Sequence, residues 1–210
     1  MIPEKQRYEN LEKFTPDVVG RYDIPVIRAD KVNFSGFIGF NYASTAKDRA
    51  EKAVHFFLDD YQFFRVWNRP RDYINTLSHF ACVLSPDFSL YTDFPVAMQI
   101  YNHYRKHWLG AYWQSLGIKV IPTICWSDER SFEWCFDGEP VGGVVAVSSV
   151  GTQNSKAAKA AFLRGYEAMC ERLSPSEIIF YGSVPDECRG NIMRIKAFQE
   201  KFREAKVYGW

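Results

Sequence analysis

The 210-residue chain lacks a surplus of either charge: 26 Lys and Arg stand against 25 Asp and Glu, for a formal net charge of +1. Nonspecific nucleic-acid binding is driven by phosphate neutralisation and needs a strong basic excess, so that function is not expected. Cysteine is scarce. The five present (Cys82, Cys125, Cys135, Cys170, Cys188) form no CxxC and three sit inside apolar runs, which reads as reduced, buried thiols and not as a zinc knuckle or disulfide framework. No run approaches the ~20 apolar residues of a membrane span. The opening MIPEKQRYEN has no charged-then-apolar signal pattern. The expectation is a cytoplasmic protein with no membrane partner. Repeats and low-complexity linkers are also missing, so one domain is expected over residues 34–210. Residues 1–33, polar and punctuated by proline, read as an extended arm over it.

The common catalytic signatures are equally absent. There is no GxxxxGK[ST], no three-glycine dinucleotide fingerprint and no GxSxG elbow. His103 and His107 have the i,i+4 spacing of a shared metal, but no Glu follows His103 as HExxH requires, and both are expected to face solvent. His55, inside an apolar run, is expected to be a core residue. Ser148, Ser149 and Cys125 are nucleophiles in type only, with no base assignable. The stretch SSVGTQNSK could cradle a phosphate at a helix start, though a plain connection is the simpler reading.

What is abundant is aromatic: 17 Phe, 12 Tyr and 6 Trp. Short apolar runs recur as FSGFIGF, AVHFFLDD, FACVLS, KVIPTICW, GGVVAVSSVGT and EIIFYGS. Between them lie helical patterns: Ala97, Ile100, Tyr101, Tyr104, Trp108 and Ala111 after Pro95, then Ala158, Ala161, Phe162, Gly165 and Met169 after a Ser155 cap. A closing helix is expected through Ile192, Ile195, Phe198, Phe202 and Ala205, and SFEWCFDG reads as a short hairpin arm. Pro122 is expected at an edge or bulge. Alternation of this kind predicts an α/β fold with a mostly parallel sheet of about five or six strands flanked by helices. It is either an open three-layer sheet or a small, irregular barrel-like variant.

In such sheets ligands bind beyond the carboxyl ends of the strands. Here those exits are polar or small, and three of them carry acids. CVLSPDFSLYTDFP stands out because three aromatics sit where a surface turn would place Gly or Asn. Asp87 is the leading catalytic candidate, with Asp60 and Asp128 as its partners, since converging carboxylates serve as an acid/base pair or hold a divalent cation. Phe88, Tyr91 and Trp126 could wall the cleft and stack on a ring. Ser89, Asp93, Ser148, Ser149, Gly151 and Tyr181 complete the candidate binding set. Against this stands ordinary helix capping, for which Asp60 and Asp93 are well placed. A further alternative makes SPDFSLY a plug, with Phe88 and Leu90 in the core.

The run from HFFLDDYQFFRVWNRP through SPDFSLYTDFP to NHYR, followed by GIKVIPTICWSDERSF, VVAVSSVGT and IIFYGS, resembles the bacterial and phage family called domain of unknown function 4417. The likeness spans about Phe37 to Gly182. The positions that match are Asp60, Phe63, Trp67, Pro70, Ser85, Pro86, Asp87, Phe88, Ser89, Tyr91, Asp93, Pro95, Pro122, Gly151, Tyr181 and Gly182. The resemblance implies occurrence on phages and other mobile elements and supplies no reaction. Two readings follow. One is an enzyme on a nucleotide, nucleic-acid or glycosyl substrate; the other is a non-catalytic protein that engages a host protein or sequesters a small molecule.

Overall fold

The computed structural model describes residues 14–198 and 200, with the backbone of Arg7–Tyr8 and Leu11–Glu12. Seven parallel strands follow one another in chain order among the described residues. They are β1 (Gly36–Gly39), β2 (Lys52–His55), β3 (Cys82–Leu84), β4 (Val120–Ile121), β5 (Val144–Ser148), β6 (Glu177–Tyr181) and β7 (Ile192–Ile195). Two ladders result, β1-β2-β3-β4 and β5-β6-β7. The chain is α/β, as the alternation of apolar runs and helical patterns predicts.

The two ladders meet at a single parallel bridge, Thr123 to Ala146. Pro122 explains why the seam is short. Its carbonyl accepts from Ala146 N at 2.8 Å, and Ile124 N donates to the Ala146 carbonyl at 2.7 Å, so the Pro122 nitrogen faces β5 and has no hydrogen to give. The expected irregularity therefore lies at an internal seam and not at an outer edge.

Side-chain parity shows that the sheet is rolled. Ala53, Cys82, Leu84, Ile121, Ala146 and Ile179, drawn from both ladders, form one inner cluster. Their neighbours Val54, Val83 and Val120 face outward onto helix α1 (Val96–Ser115). Val145, Val147, Ile178 and Phe180 face outward onto helix α2 (Lys156–Leu173). Strand residues alternate between two faces, so one shared interior with two outer layers is the signature of a barrel-like curl.

Three expectations are corrected. The segment carrying Ile192 and Ile195 is β7, paired with β6 in register Ile178–Ile192 to Tyr181–Ile195, and not a helix. Apolar residues three apart fit a helical face, but they also fit a half-covered edge strand. Phe202 and Ala205 lie outside the described residues. SFEWCFDG forms no hairpin; a 3-10 turn at Glu129–Glu133 leads into buried Trp134, Cys135 and Phe136.

The third correction concerns α1. Its expected apolar face holds only in part: Ala97 and Tyr101 are exposed, while every residue from Asn102 to Trp113 except half-buried Tyr104 is buried. The helix is covered by the sheet on one side and elsewhere by two non-sheet segments. One is the antiparallel pair Val18–Val19 and Ile24–Pro25, which leads into fully buried Ile27. Gly110 admits that isoleucine, since a Cβ there would sit 2.5 Å from Ile27 Cδ1. The other is Trp134–Glu139. Enclosure on all sides is what buries His103, Lys106 and His107, against the expectation of solvent-facing histidines.

Candidate functional site

The strand exits open onto one cleft of about 910 Å³. Its lining is taken in turn from Phe57 after β2, Asp87 to Tyr91 after β3, Ile124 to Trp126 after β4, Ser148 and Val150 after β5, and Tyr181 closing β6. On one side the rings form a continuous surface. Tyr181 stacks on Phe57 at 4.9 Å, with His55 also at 4.9 Å and Phe37 at 6.1 Å. On the other, Trp126 packs on Phe162 at 5.4 Å and lies against Gly165 of α2. A Cβ at that glycine would fall 2.1 Å from the indole Nε1, so the helix can pass the Trp126 ring only without a side chain.

The loop after β3 is anchored at Ser85, Phe88, Ser89 and Leu90. Ser85 Oγ accepts from Thr123 N and its carbonyl accepts from Thr123 Oγ1, both at 2.8 Å. Phe88 is 1% exposed, packed on Phe63 at 5.2 Å with the Arg105 guanidinium 4.0 Å from its ring centre. Ser89 Oγ donates to Asp60 at 2.8 Å, its N–H points at the same carboxylate, and its carbonyl accepts from Asn102 Nδ2 at 2.7 Å. Leu90 is buried. With its neighbours so anchored, Asp87 is left at the cleft wall beside Cys125 and buried Lys106.

That position changes its acidity. Burial pushes the Asp87 carboxyl up to about 7. Lys106 pulls it down, the Asp60 carboxylate pushes it further up, and a hydrogen bond from the Cys125 thiol favours the anion. Burial also raises the Cys125 thiol well above its ordinary value, which leaves it neutral and not a thiolate nucleophile. A carboxyl near 7 can both give and take a proton at neutral pH.

The other expected residues are distributed as follows. Asp60 neither caps a helix nor lines the cleft; its carboxylate clamps Ser89. Asp59, exposed beside it, lines the cleft instead. Asp128 caps the Glu129–Glu133 turn by accepting from Arg130 N at 3.0 Å, and pairs with the Arg130 guanidinium, which holds its carboxyl below the usual range. It borders a separate depression of about 260 Å³. Asp93 is exposed, and α1 begins after Pro95 with no side-chain cap. Phe88 is core more than wall. Tyr91 stands exposed at the rim, edge-on to Phe94. Ser148 lines the cleft and Ser149 is turned away, its Oγ donating to the Ser183 carbonyl at 2.7 Å. Gly151 has φ +80°, a turn conformation, and does not line the cleft.

Sequence reasoning missed Phe37, His55 and Phe57 as cleft residues, although His55 and Phe57 follow the period of two along β2. Lys106 and Glu139, which meet behind Asp87, carried no sequence signal. We expect Asp60→Ala to strand the Ser89 N–H and hydroxyl, costing about 1–3 kcal/mol in urea unfolding. The Asp87 carboxyl should also lose the repulsion of the Asp60 charge and titrate lower, read by carboxyl NMR.

Among the described residues no helix is long and apolar enough to cross a membrane. The chain is 45% identical over 132 residues to the Gene 1 protein of Mycobacterium phage L5, covering 63% of this chain and 58% of that protein. It is 45% identical over 130 residues to the Gene 1 protein of Mycobacterium phage D29, covering 62% and 48% respectively. The chain thus spans about half the length of these relatives. No solved structure matches it. The profile described as "Domain of unknown function (DUF4417)" matches residues 16–199, nearly all of the chain, and the protein belongs to that family.

Proposed function

We propose that the protein is an enzyme of the bacterial cytoplasm that acts on the base or sugar ring of a nucleotide, nucleic-acid or glycosyl substrate, with Asp87 as general acid/base. The observation that carries this reading is a carboxyl near pH 7 held at the wall of a ring-lined cleft. Trp126 and Tyr91 would flank the substrate ring, the Phe57–Tyr181 surface would seat its apolar face, and Ser148 would give a polar contact. The lining favours a ring over a phosphate chain. Lys196 is its single Lys or Arg among the described residues, while Asp59 and Asp87 are both acids.

The test is a thermal-shift screen of wild type and Asp87→Asn against nucleobases, nucleosides, sugars and their phosphates. A ligand at a hundred times its Kd stabilises by about 2.7 kcal/mol. We expect a ring ligand to shift wild type, to be turned over, and to be left unconverted by the folded variant. Turnover unchanged by Asp87→Asn would overturn the assignment. A second reading, a non-catalytic binder of a host protein, draws on exposed Tyr42 and Tyr91 at the cleft mouth. It predicts no small-molecule shift, and partner binding lost on Tyr42→Ala or Tyr91→Ala.

A further inference from the structure

Behind the cleft, α1 and the Trp134–Glu139 segment enclose a polar cluster whose hydrogen bonds do not close. His107 Nδ1 lies 2.8 Å from the Pro25 carbonyl, an acceptor, so the ring proton is on Nδ1. His107 Nε2 is then a lone pair, yet it lies 2.9 Å from Glu139 Oε1. That oxygen is already taken by Lys106 Nζ at 2.6 Å; burial disfavours the ammonium, but the Glu139 charge and hydrogen bond, together with Cys125 and Asp87, hold it charged. Two lone pairs thus face each other in the core.

His103 repeats the pattern. Its Nε2 lies 3.1 Å from the Asp137 carbonyl and carries the proton, which leaves Nδ1 as a lone pair with no partner. Glu139 Oε2 is also buried and unpartnered. The His103 and His107 rings are 4.3 Å apart, and one ligand atom from each of His103, His107 and Glu139 lies within 4.8 Å of the others. Both histidines and the glutamate side chain are 1% exposed or less. A proton placed between His107 and Glu139 Oε1 would settle that contact alone. A cation shared by all three residues settles it and the two orphaned atoms as well.

We propose that His103, His107 and Glu139 bind a zinc-class divalent transition metal. Two imidazole nitrogens and a carboxylate are a zinc ligand set. The Pro25 and Asp137 carbonyls act as the outer partners that orient metal-bound histidines and select the coordinating nitrogen. The backbone is built for closeness at this point. Gly138 has φ +77°, and a Cβ there would fall 2.5 Å from the Pro25 carbonyl and 2.8 Å from His107 Nδ1. The Asp87 and Asp137 carboxyl groups flank Lys106 and His107. The metal would tie α1 to the 134–139 segment and, through Pro25, to the N-terminal pair.

The test uses the whole purified chain. Elemental analysis after chelator-free purification should find one zinc-class metal per chain. Protein stripped with dipicolinate should take up Co2+ one-to-one, with visible d–d absorption displaced by Zn2+. His103→Gln, which keeps a donor near the Asp137 carbonyl, should remain folded by circular dichroism and lose the Co2+ spectrum. Folded wild type that carries no metal and gives no Co2+ spectrum would overturn the proposal, leaving an imidazolium–carboxylate pair at His107. So would a folded His103→Gln that binds Co2+ as wild type does.

Discussion

Lys106→Met is expected to cost the fold about 3–5 kcal/mol, the range for removing one partner of a buried ion pair. Lys106 Nζ donates to Glu139 Oε1 at 2.6 Å and to the Thr123 carbonyl at 2.8 Å, and the pair is essentially solvent-free. Methionine fills the stem's volume and supplies no charge, so in metal-stripped protein the Glu139 carboxylate loses its ammonium partner and keeps only the His107 Nε2 contact at 2.9 Å. The penalty should fall largely on the stranded charge. Lys106→Met with Glu139→Gln should therefore recover much of it in urea unfolding. A single-variant loss below about 1 kcal/mol, the range of exposed pairs, would mean that water reaches the carboxylate.

The second large effect is in pH. The Asp87 carboxyl, ordinarily near 3.8, is raised to about 7 in the folded chain, burial being the main cause. The native state therefore holds a proton that the unfolded chain gives up over the window from about 4 to 7. Stability falls as pH rises where the native state binds more protons. The Asp87 contribution, read as the difference between wild type and Asp87→Asn, should thus fall by up to about 4 kcal/mol across that window and level off above it. The buried histidines His103 and His107 contribute with the opposite sign in both proteins. Asparagine resembles the protonated acid in shape. Asp87→Asn should show little of this slope and should melt higher than wild type at pH 8, by roughly 2–4 °C per kcal/mol. Lys106, which lowers the Asp87 value, links the two experiments: in Lys106→Met the slope should extend to higher pH. A wild-type stability that gains on Asp87→Asn from pH 4 to 7, with Asp87→Asn the lower at pH 8, would contradict the assigned environment.

A residue's visibility in the sequence depended on whether its partners were local. Ser155 accepts from Ala158 N as its position before an apolar stripe predicts, and the α2 stripe through Phe162 and Met169 is buried. The oddity of SPDFSLY was readable because alternate residues belong to different environments: Phe88 and Leu90 in the core, Asp87 at the cleft. What held the loop was not readable, since Asp60 lies 29 residues before Ser89. The same holds for α1. Its apolar spacing marks one face, but burial of the opposite face is imposed by Ile27 and by the segment ending at Glu139, 33 residues after Lys106. Polar residues buried by distant chain look in sequence like a solvated helix face. Ile192 and Ile195 erred the other way, because an edge strand covered on one side carries too few apolar positions to reveal a period of two.

The chain-order arrangement of the strands has a consequence for synthesis. Because β2 pairs with β1, β3 with β2, and β4 with β3, each strand leaving the ribosome finds its neighbour already made. Assembly can proceed from the amino terminus without waiting for a distant partner, which keeps loop closures short. The exception is the buried ion pair. Until residue 139 emerges, Lys106 lacks the carboxylate it donates to, so α1 can settle fully only after that point. The seam at Pro122 falls just before that point, and it divides the nascent protein into an early four-stranded ladder and a late three-stranded one.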